Sequence, residues 1–156
     1  FTVYGPAGRP DLAIFRFVQW ISEGRPVQVN GDGEQSRGFT YIDDIVSGIL
    51  GVIARPAEPS PNFDPKQPDP ATSHAPFRVF NIGNQGPVEL MEFVQAIESA
   101  LGITAKKNMM DLQPGDVPAT YADVSELKAW TGVNPGTPIA EGVGRFVKWY
   151  RDYYRA

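Results

Sequence analysis

A proline-rich stretch sets the first limit on how this chain can fold. Residues 55–76 contain prolines at positions 56, 59, 61, 65, 68, 70 and 76, and their apolar residues follow no regular period. Proline fixes φ and has no backbone N–H, so this stretch cannot form a regular helix or a central strand. Irregular segments of this length in compact domains are usually either functional or disordered. We therefore predict one long irregular loop over 55–76, with the single histidine, His74, exposed in it.

Helices and short strands alternate on both sides of this loop. Apolar residues at helical spacing predict helices over 12–22, 90–101 and 124–131, a helix from Pro138 onward, and a helix with apolar positions 45, 46, 49, 50 and 53. Asp43 or Asp44 is predicted to cap the helix with apolar positions 45, 46, 49, 50 and 53. Runs of β-prone residues predict strands over 1–4, 27–29, 37–42, 77–82 and 103–109. No regular βαβ rhythm is present, so the fold class is α/β or α+β, with a small mixed sheet and packed helices.

Composition excludes several kinds of site and partner. The net charge is −4 and no basic run is present, which argues against nucleic acid and against an anionic membrane surface. The absence of cysteine excludes thiolate chemistry, and a single histidine argues against a metal site. No apolar run approaches the roughly 18 residues of a membrane span. We expect one cytoplasmic domain that binds no metal, nucleic acid or membrane.

The common motifs of catalysis and cofactor binding are missing from the sequence. It contains no G-x-G-x-x-G or Walker loop, no G-x-S-x-G and no Tyr-x-x-x-Lys pair. Nothing in it is therefore predicted to cradle the pyrophosphate of a dinucleotide. The residues alone predict a domain that binds a ligand and has no chemistry of its own.

The first eleven residues, FTVYGPAGRPD, offer a candidate binding feature. A strand meets a Gly-Pro turn, and Arg9 follows just before a helix. Arginine presents a fork of donors that fits a carboxylate or a phosphate, and a helix N-terminus favours anions. Two interpretations stay open at this point: an anion-recognition loop, or a plain connection with an exposed arginine.

Several stretches resemble a known family. FTVYGPAGRPD (1–11) together with VNGDGEQSRGFTYIDD (29–44) resembles the extended short-chain dehydrogenase/reductase superfamily, specifically the C-terminal substrate-binding part of nucleotide-sugar epimerases and dehydratases. Three further stretches, PDPATS (68–73), FNIGN (80–84) and QPGDVPATYAD (113–123), resemble the UDP-glucuronate 4-epimerases within that family. The resemblance runs the length of the chain, and the proline loop is its more specific part.

The resemblance implies a two-part enzyme that acts on a UDP-sugar. A Rossmann domain with NAD and a Tyr-x-x-x-Lys pair would precede residue 1, and residues 1–156 would form the substrate-binding domain. The family oxidises UDP-glucuronate at C4 and returns hydride to the other face, giving UDP-galacturonate. This chain is thus expected to be an inactive fragment of a protein that is a homodimer at full length. We expect it to expose apolar surface where the Rossmann domain packs, and to self-associate there.

Individual site residues follow from the same resemblance. By match of motif, Thr2 and Arg9 hold the C6 carboxylate and Arg37 binds the diphosphate. Contacts to the rest of the nucleotide fall on Asp11 and Leu12 (diphosphate, through backbone), Gln28 and Asn30 (uracil and ribose) and Asp116 (ribose, or a structural role), with Tyr4 as a cofactor contact. Gln113 stands where some relatives carry a phosphate-binding arginine, so a second arginine contact is not expected there.

Two alternatives to this function remain open. The first is another nucleotide-sugar enzyme of the superfamily, such as a UDP-glucose/galactose 4-epimerase, a dehydratase or a decarboxylase. The second is a stand-alone binding domain without catalysis. Asp43 and Asp44 are interpreted as structural carboxylates rather than as an acid/base pair. Asn81 is interpreted as supporting the end of a strand.

Overall fold

The structure, a computed structural model, describes residues 2–84 and 86–155. The helices are α1 (Ala13–Ser22), α2 (Ile42–Ala54), α3 (Leu90–Leu101), α4 (Ser125–Thr131) and α5 (Ile139–Tyr154). The strands are β1 (Thr2–Tyr4), β2 (Val27–Asn30), β3 (Ser36–Arg37), β4 (Phe39–Tyr41), β5 (Val88–Glu89), β6 (Lys107–Met110) and β7 (Ala119–Thr120). The predicted α/β class is confirmed.

The strands form three small sheets rather than one. β1 pairs in parallel with β4, and β2 pairs in parallel with β6. In the third sheet β3 is central, antiparallel to β5 and parallel to β7. Parallel partners need a long crossover, so each parallel pair joins strands that are distant in the sequence. The pairings bring residues of the first forty positions beside residues 107–120.

The core forms where α1, α3 and α5 cover β1, β2 and β4. Side chains from all three helices are fully buried there, including those of Val18, Phe93, Ile97, Val143 and Phe146. Helix α1 buries apolar residues on more than one face, as predicted, and ends beside Gly24, whose φ of +68° lies in the left-handed region.

Strand β1 meets helix α5 at a glycine. A Cβ at Gly142 would lie 2.1 Å from Oη of Tyr4, so no other residue fits beneath the phenol ring. Tyr4 is 2% exposed, and its Oη has no hydrogen-bond partner among the described residues. Burial, followed by the negative charge of Asp44, raises the pKa of this phenol.

Helix α2 turns its apolar stripe outward. Only Gly48 of this helix is buried, whereas large apolar side chains are exposed at Val46, Ile49, Leu50 and Ile53. A Cβ at Gly48 would lie 3.0 Å from Ile82, and one at Gly51 would lie 2.9 Å from Thr131. The helix therefore packs through these glycines and through half-buried Ile42, and leaves the four large apolar side chains exposed.

The proline-rich loop is irregular and fixed at its two ends. Residues 55–76 form no helix and no strand beyond a single bridge between Thr72 and Arg78, and His74 is exposed. The guanidinium carbons of Arg55 and Arg78 lie 4.0 and 4.7 Å from the ring centre of Trp130. Arg55 also exchanges hydrogen bonds of 2.9 Å with Trp130 through backbone carbonyls. These cation–π contacts tie both ends of the loop to α4.

Three local predictions differ from the structure. Residues 77–82 do not form a strand, because their one bridge to Thr72 provides no neighbouring strand to pair with. Asp43 and Asp44 do not cap α2, because the helix already begins at Ile42 and both lie in its first turn. A carboxylate in the first turn is still favourable, since the helix dipole is positive there. The strand predicted over 37–42 is broken at Gly38 into β3 and β4.

Helix α5, the longest helix described, buries one face. Ile139, Val143, Phe146 and Tyr150 are buried, as predicted, but Tyr153, predicted on the same face, is 67% exposed. Across residues 2–84 and 86–155, no helix combines the length and the apolar character needed to cross a membrane.

Candidate functional site

One cleft of about 460 Å³ collects most of the predicted binding residues. Seven of the eight predicted substrate contacts line it: Thr2, Asp11, Leu12, Gln28, Asn30, Arg37 and Asp116. They come from β1, the start of α1, β2, β3 and the 113–116 turn. The three-sheet topology is what brings them together.

The first wall of the cleft is the start of α1. Leu12 and Ala13 line the cleft, and Leu12 precedes the helix without a side-chain cap. The first N–H groups of a helix have no partner inside it and attract anions. Arg16, one turn further along, also lines the cleft. This wall therefore offers N–H donors together with a positive charge.

Arg37 lies in the cleft in a defined orientation. Its Nη1 donates to the backbone oxygens of Ser36 at 2.9 Å and Pro118 at 3.3 Å. Its Nη2 donates to Oε1 of Gln35 at 3.1 Å. The Arg37 side chain is 22% exposed. A partly buried, well-held guanidinium is suited to bind a phosphate with little loss of side-chain entropy.

Strand β2 supplies Gln28 and Asn30 through its alternation. Val27 and Val29 are fully buried, so the intervening side chains point to the other face. Gln28 and Asn30 line the cleft on that face, together with the half-buried Trp20 and with Gln113. This part of the cleft presents amides and one large aromatic ring.

Arg9 is the predicted contact that the structure leaves outside the cleft. Its guanidinium donates to both carboxylate oxygens of Asp11, with Nε 3.0 Å from Oδ1. The hydrogen bonds from Arg9 hold the pKa of Asp11 below its ordinary value. The Arg9 side chain is 74% exposed, so the ion pair lies in water beside the cleft. The predicted carboxylate clamp of Thr2 and Arg9 is therefore not assembled here, and it stays a prediction.

Tyr4 lies in the core and not at the cleft. Its ring makes edge-on contacts with Phe39 and Tyr41, and α5 covers the hydroxyl. A contact between Tyr4 and a cofactor would require the side chain to leave this packing. That interpretation stays a prediction, and its position in the core counts against it.

The carboxylates and the amide interpreted as structural make contacts of that kind. Asp44 accepts hydrogen bonds from the N–H groups of Gly136 and Thr137, at 3.2 and 2.9 Å, and from the Thr137 hydroxyl at 2.9 Å. It thereby holds the segment that leads into α5. Asn81 donates to the Asp123 carbonyl at 3.2 Å, next to the start of α4 and not at a strand end.

Sequence reasoning missed several residues of the cleft. Arg16, Trp20 and Gln35 all line it. Arg16 and Trp20 lie four residues apart on α1, so an exposed stripe on that helix was the available signal. Gln35 lies in a turn before β3, where no periodic pattern marks it.

The sequence profile of one family matches residues 1–83, which is more than half of the 156 residues. That family is the NAD dependent epimerase/dehydratase family. The chain belongs to it.

Members of this family match along nearly the whole chain. Protein CapI of Staphylococcus aureus is 51% identical over 155 residues, covering 99% of this chain and 46% of that protein. A probable UDP-glucuronate 4-epimerase of Rhizobium meliloti is 49% identical over 156 residues, with the same two shares. The crystal structure of UDP-glucuronic acid 4-epimerase from Bacillus cereus with UDP-glucuronic acid and NAD matches with a TM-score of 0.78 at 28% identity, covering 99% of this chain and 44% of that one. The chain spans about half the length of the curated relatives it matches.

The family is named for NAD, and one local signal of dinucleotide binding is absent from the described residues. A dinucleotide needs a turn with three closely spaced glycines between a strand and a helix. In the part of the chain that the structure describes, none of the five helices follows such a turn. The cleft presents two arginines, two aspartates and several amides, so it can exchange hydrogen bonds with a polar ligand.

Proposed function

We propose that this chain is the nucleotide-sugar-binding domain of an NAD-dependent epimerase that interconverts UDP-glucuronate and UDP-galacturonate. The observation that carries the proposal is the single cleft lined by seven of the eight residues that the resemblance assigns to substrate. Relatives named UDP-glucuronate 4-epimerase, and a matching structure that contains UDP-glucuronic acid, support this choice of substrate.

The diphosphate is the part of the substrate that the cleft suits best. Its two negative charges would meet the N–H groups at the start of α1, where Leu12 leaves the helix uncapped. Arg16 and Arg37 would add two positive charges from different elements. A diphosphate bridging α1 and β3 would fix both ends of the ligand relative to the protein.

The two ends of the substrate would extend from this anchor. The base and ribose would lie along β2, at Gln28 and Asn30, with Asp116 available as a hydrogen-bond acceptor for a ribose hydroxyl. The hexose would lie toward Thr2. The contribution to catalysis is positioning, since a reacting carbon must be held within a narrow geometry for transfer to occur. NAD would supply the oxidation at C4, and the residues of this chain would hold the sugar in place for it.

Arg9 is proposed to bind the C6 carboxylate of the sugar. Oxidation at C4 yields a β-keto acid, which loses carbon dioxide readily when its carboxylate lies perpendicular to the ketone plane. A charge-assisted clamp would hold the carboxylate out of that geometry. For this, Arg9 would exchange Asp11 for the substrate, and the largely exposed ion pair makes that exchange inexpensive.

We further propose that NAD is bound by a Rossmann domain that precedes residue 1 in the whole protein. The outward apolar stripe of α2 would be the face that this domain covers, because exposed contiguous apolar surface usually marks a contact. The whole protein is proposed to be a cytoplasmic homodimer.

The activity is tested on the full-length gene product with NAD and UDP-glucuronate, following the sugar anomeric proton by NMR. We expect UDP-galacturonate to form with little loss of carbon dioxide. Conversion of UDP-glucose instead would favour a UDP-glucose/galactose 4-epimerase, and release of a pentose nucleotide would favour a decarboxylase.

The isolated 156-residue chain provides the second half of this test. We expect it to bind UDP weakly, with affinity that falls as salt rises, and to show no turnover. Turnover by the isolated chain would contradict the division of labour proposed here. Full-length protein that binds UDP-sugars but never converts any of them would favour a binding domain without catalysis.

A further inference from the structure

Gln35 is a buried amide at the edge of the cleft. It is 9% exposed and is one of two buried polar residues, with Thr40, in the described part of the chain. Its side chain packs on Gly31, where a Cβ would lie 3.2 Å from both its Cγ and its Nε2. The backbone carbonyl of Gln35 accepts the N–H of Leu90 at 2.9 Å. The side chain is therefore held on several sides.

Both ends of this amide are used. Nε2 donates to Oδ2 of Asp116 at 3.1 Å, and Oε1 accepts from Nη2 of Arg37 at 3.1 Å. Arg37 and Asp116 approach each other directly only to 3.5 Å, between Nη2 and Oδ1. Each hydrogen bond of the Gln35 bridge is thus shorter than the direct contact between the two charged groups. It needs a side chain with one donor and one acceptor at its end, which is what a glutamine amide provides.

The bridge joins two distant parts of the chain. Arg37 belongs to β3, whereas Asp116 closes the 113–116 turn with a backbone hydrogen bond of 3.0 Å to Gln113. Loss of the bridge would leave the Arg37 Nη2 group and the turn joined only by the 3.5 Å contact between Nη2 and Oδ1 of Asp116. Hydrogen bonds to charged groups contribute more than neutral ones, and burial prevents water from replacing them fully.

We propose that Gln35 is a positioning residue that sets the affinity for the diphosphate by orienting the Arg37 guanidinium and fixing the Asp116 turn. This inference rests on the proposed function, since it concerns the same cleft. It assigns to Gln35 no contact with the reacting atoms.

The test compares UDP with uridine on the folded chain by NMR titration. Gln35→Met keeps the volume and removes both hydrogen bonds, and Gln67→Met, in the exposed loop, is the matched control. We expect Gln35→Met to weaken UDP roughly tenfold. Uridine has no phosphate for Arg37 to hold and can lose only the ribose contact to Asp116, so its binding should weaken by less than about threefold. The control should leave both unchanged.

A second variant gives a readout that a purely structural role would not move. Gln35→Glu keeps the acceptor for Arg37 but places a carboxylate against Asp116, and two adjacent carboxylates raise one pKa of the pair. Arg37 is the charged group in contact with both side chains, and Arg16 and Asp11 line the same cleft. UDP binding by Gln35→Glu should therefore strengthen, relative to the original chain, as the pH falls from about 7.5 to about 5.5. Gln67→Glu should show no such trend.

The outcomes separate the two proposals. If the original chain binds neither UDP nor UDP-glucuronate, the proposed function fails. If it binds UDP and Gln35→Met weakens UDP and uridine equally, or neither, the positioning role is wrong while the function stands. If Gln35→Met does not fold, a flat pH profile of UDP binding by Gln35→Glu overturns the inference.

Discussion

Arg9 and Asp11 form a two-point ion pair that holds the arginine outside the cleft, with the Nε of Arg9 3.0 Å from Oδ1 of Asp11. The side chains are 74% and 50% exposed, so water competes for both partners. A ligand carboxylate placed near Thr2 can therefore replace Asp11 at little cost. The pair is a resting position for a residue proposed to bind substrate.

Replacement of Arg9 should thus affect one sugar more than another. We expect Arg9→Ala to weaken UDP-glucuronate about two- to fivefold and to leave UDP-glucose unchanged, because only the first carries a carboxylate. NMR titration of the isolated chain measures both. Lys148→Ala, at an exposed ion pair on α5, is the control. If Arg9→Ala weakened the binding of both UDP-sugars equally, Arg9 would not be a ligand of the carboxylate.

Removal of the buried Tyr4 hydroxyl should stabilise the protein. Its Oη has no partner among the described residues, and an unsatisfied buried polar group costs about 1–3 kcal/mol. Tyr4→Phe should raise the free energy of unfolding by about 1 kcal/mol, measured by urea denaturation. Tyr41→Phe is the matched control, since Tyr4 Oη and not Tyr41 Oη is the buried side-chain polar atom without a partner among the described residues, and it should bring no such gain. A destabilised Tyr4→Phe would mean that the hydroxyl has a partner.

Gly142 packs against Tyr4, and a larger residue at position 142 should destabilise the protein. Gly142→Ala places a Cβ 2.1 Å from the phenol oxygen, so we expect a loss of about 1–3 kcal/mol. Gly144, two residues further along α5, faces open space, and no described atom lies within 4 Å of where its Cβ would be. Gly144→Ala should therefore stabilise the protein by up to about 1 kcal/mol through helix propensity. Thermal denaturation of both variants distinguishes crowding from propensity.

The exposed stripe of α2 predicts self-association of the isolated chain. Leu50 and Ile53 are 59% and 67% exposed on a helix in which only Gly48 is fully buried. The double substitution Leu50→Gln and Ile53→Gln should shift sedimentation toward monomer and leave stability within about 0.5 kcal/mol. Tyr153→Gln on α5, equally exposed at 67%, should not change the sedimentation profile. Persistent oligomers in the α2 variant would place the contact elsewhere.

The ionised Glu98 carboxylate should account for part of the stability that the protein loses in acid. Burial alone would raise the pKa of this carboxyl, but hydrogen bonds from Lys107 and from the Ala105 N–H outweigh burial and lower it. A carboxyl with a lowered folded-state pKa stabilises the fold above its unfolded value, ordinarily 4.5, and that stability disappears as the pH falls through the folded value. Glu98→Gln should therefore be less stable at pH 7, with the difference shrinking below about pH 4.5. Urea titrations at about pH 7, 5 and 3.5 measure this, and a constant difference would contradict it.

The helices of this fold were predictable because their signals are local. Helix α1 stops at Gly24 and α3 at Gly102, both in the left-handed conformation that glycine allows. A periodic stripe, however, does not say which side is covered. Helix α2 has a clear stripe, yet tertiary packing uses its glycine face, and only the spatial neighbours Ile82 and Thr131 decide that.

Most of the cleft followed from motif resemblance, and its exceptions have physical causes. Arg9 lies outside the cleft because of an ion pair with a carboxylate two residues away, which depends on the conformation of the loop and which no pattern encodes. The prediction of a strand at 77–82 was wrong because β-prone residues form a strand only where a partner strand is available. Gln35 was overlooked because its role arises from Asp116, far away in the sequence.

The pairing of β2 with β6 and of β3 with β7 also governs when the cleft can appear during folding. Its walls come from residues 2–39 and from residues 90–116, so local structure alone cannot assemble them. Contacts between distant segments close large loops and are slow to form. During refolding, helical signal should return before the ability to bind UDP. Ligand binding by this domain is thus a measure of completed folding.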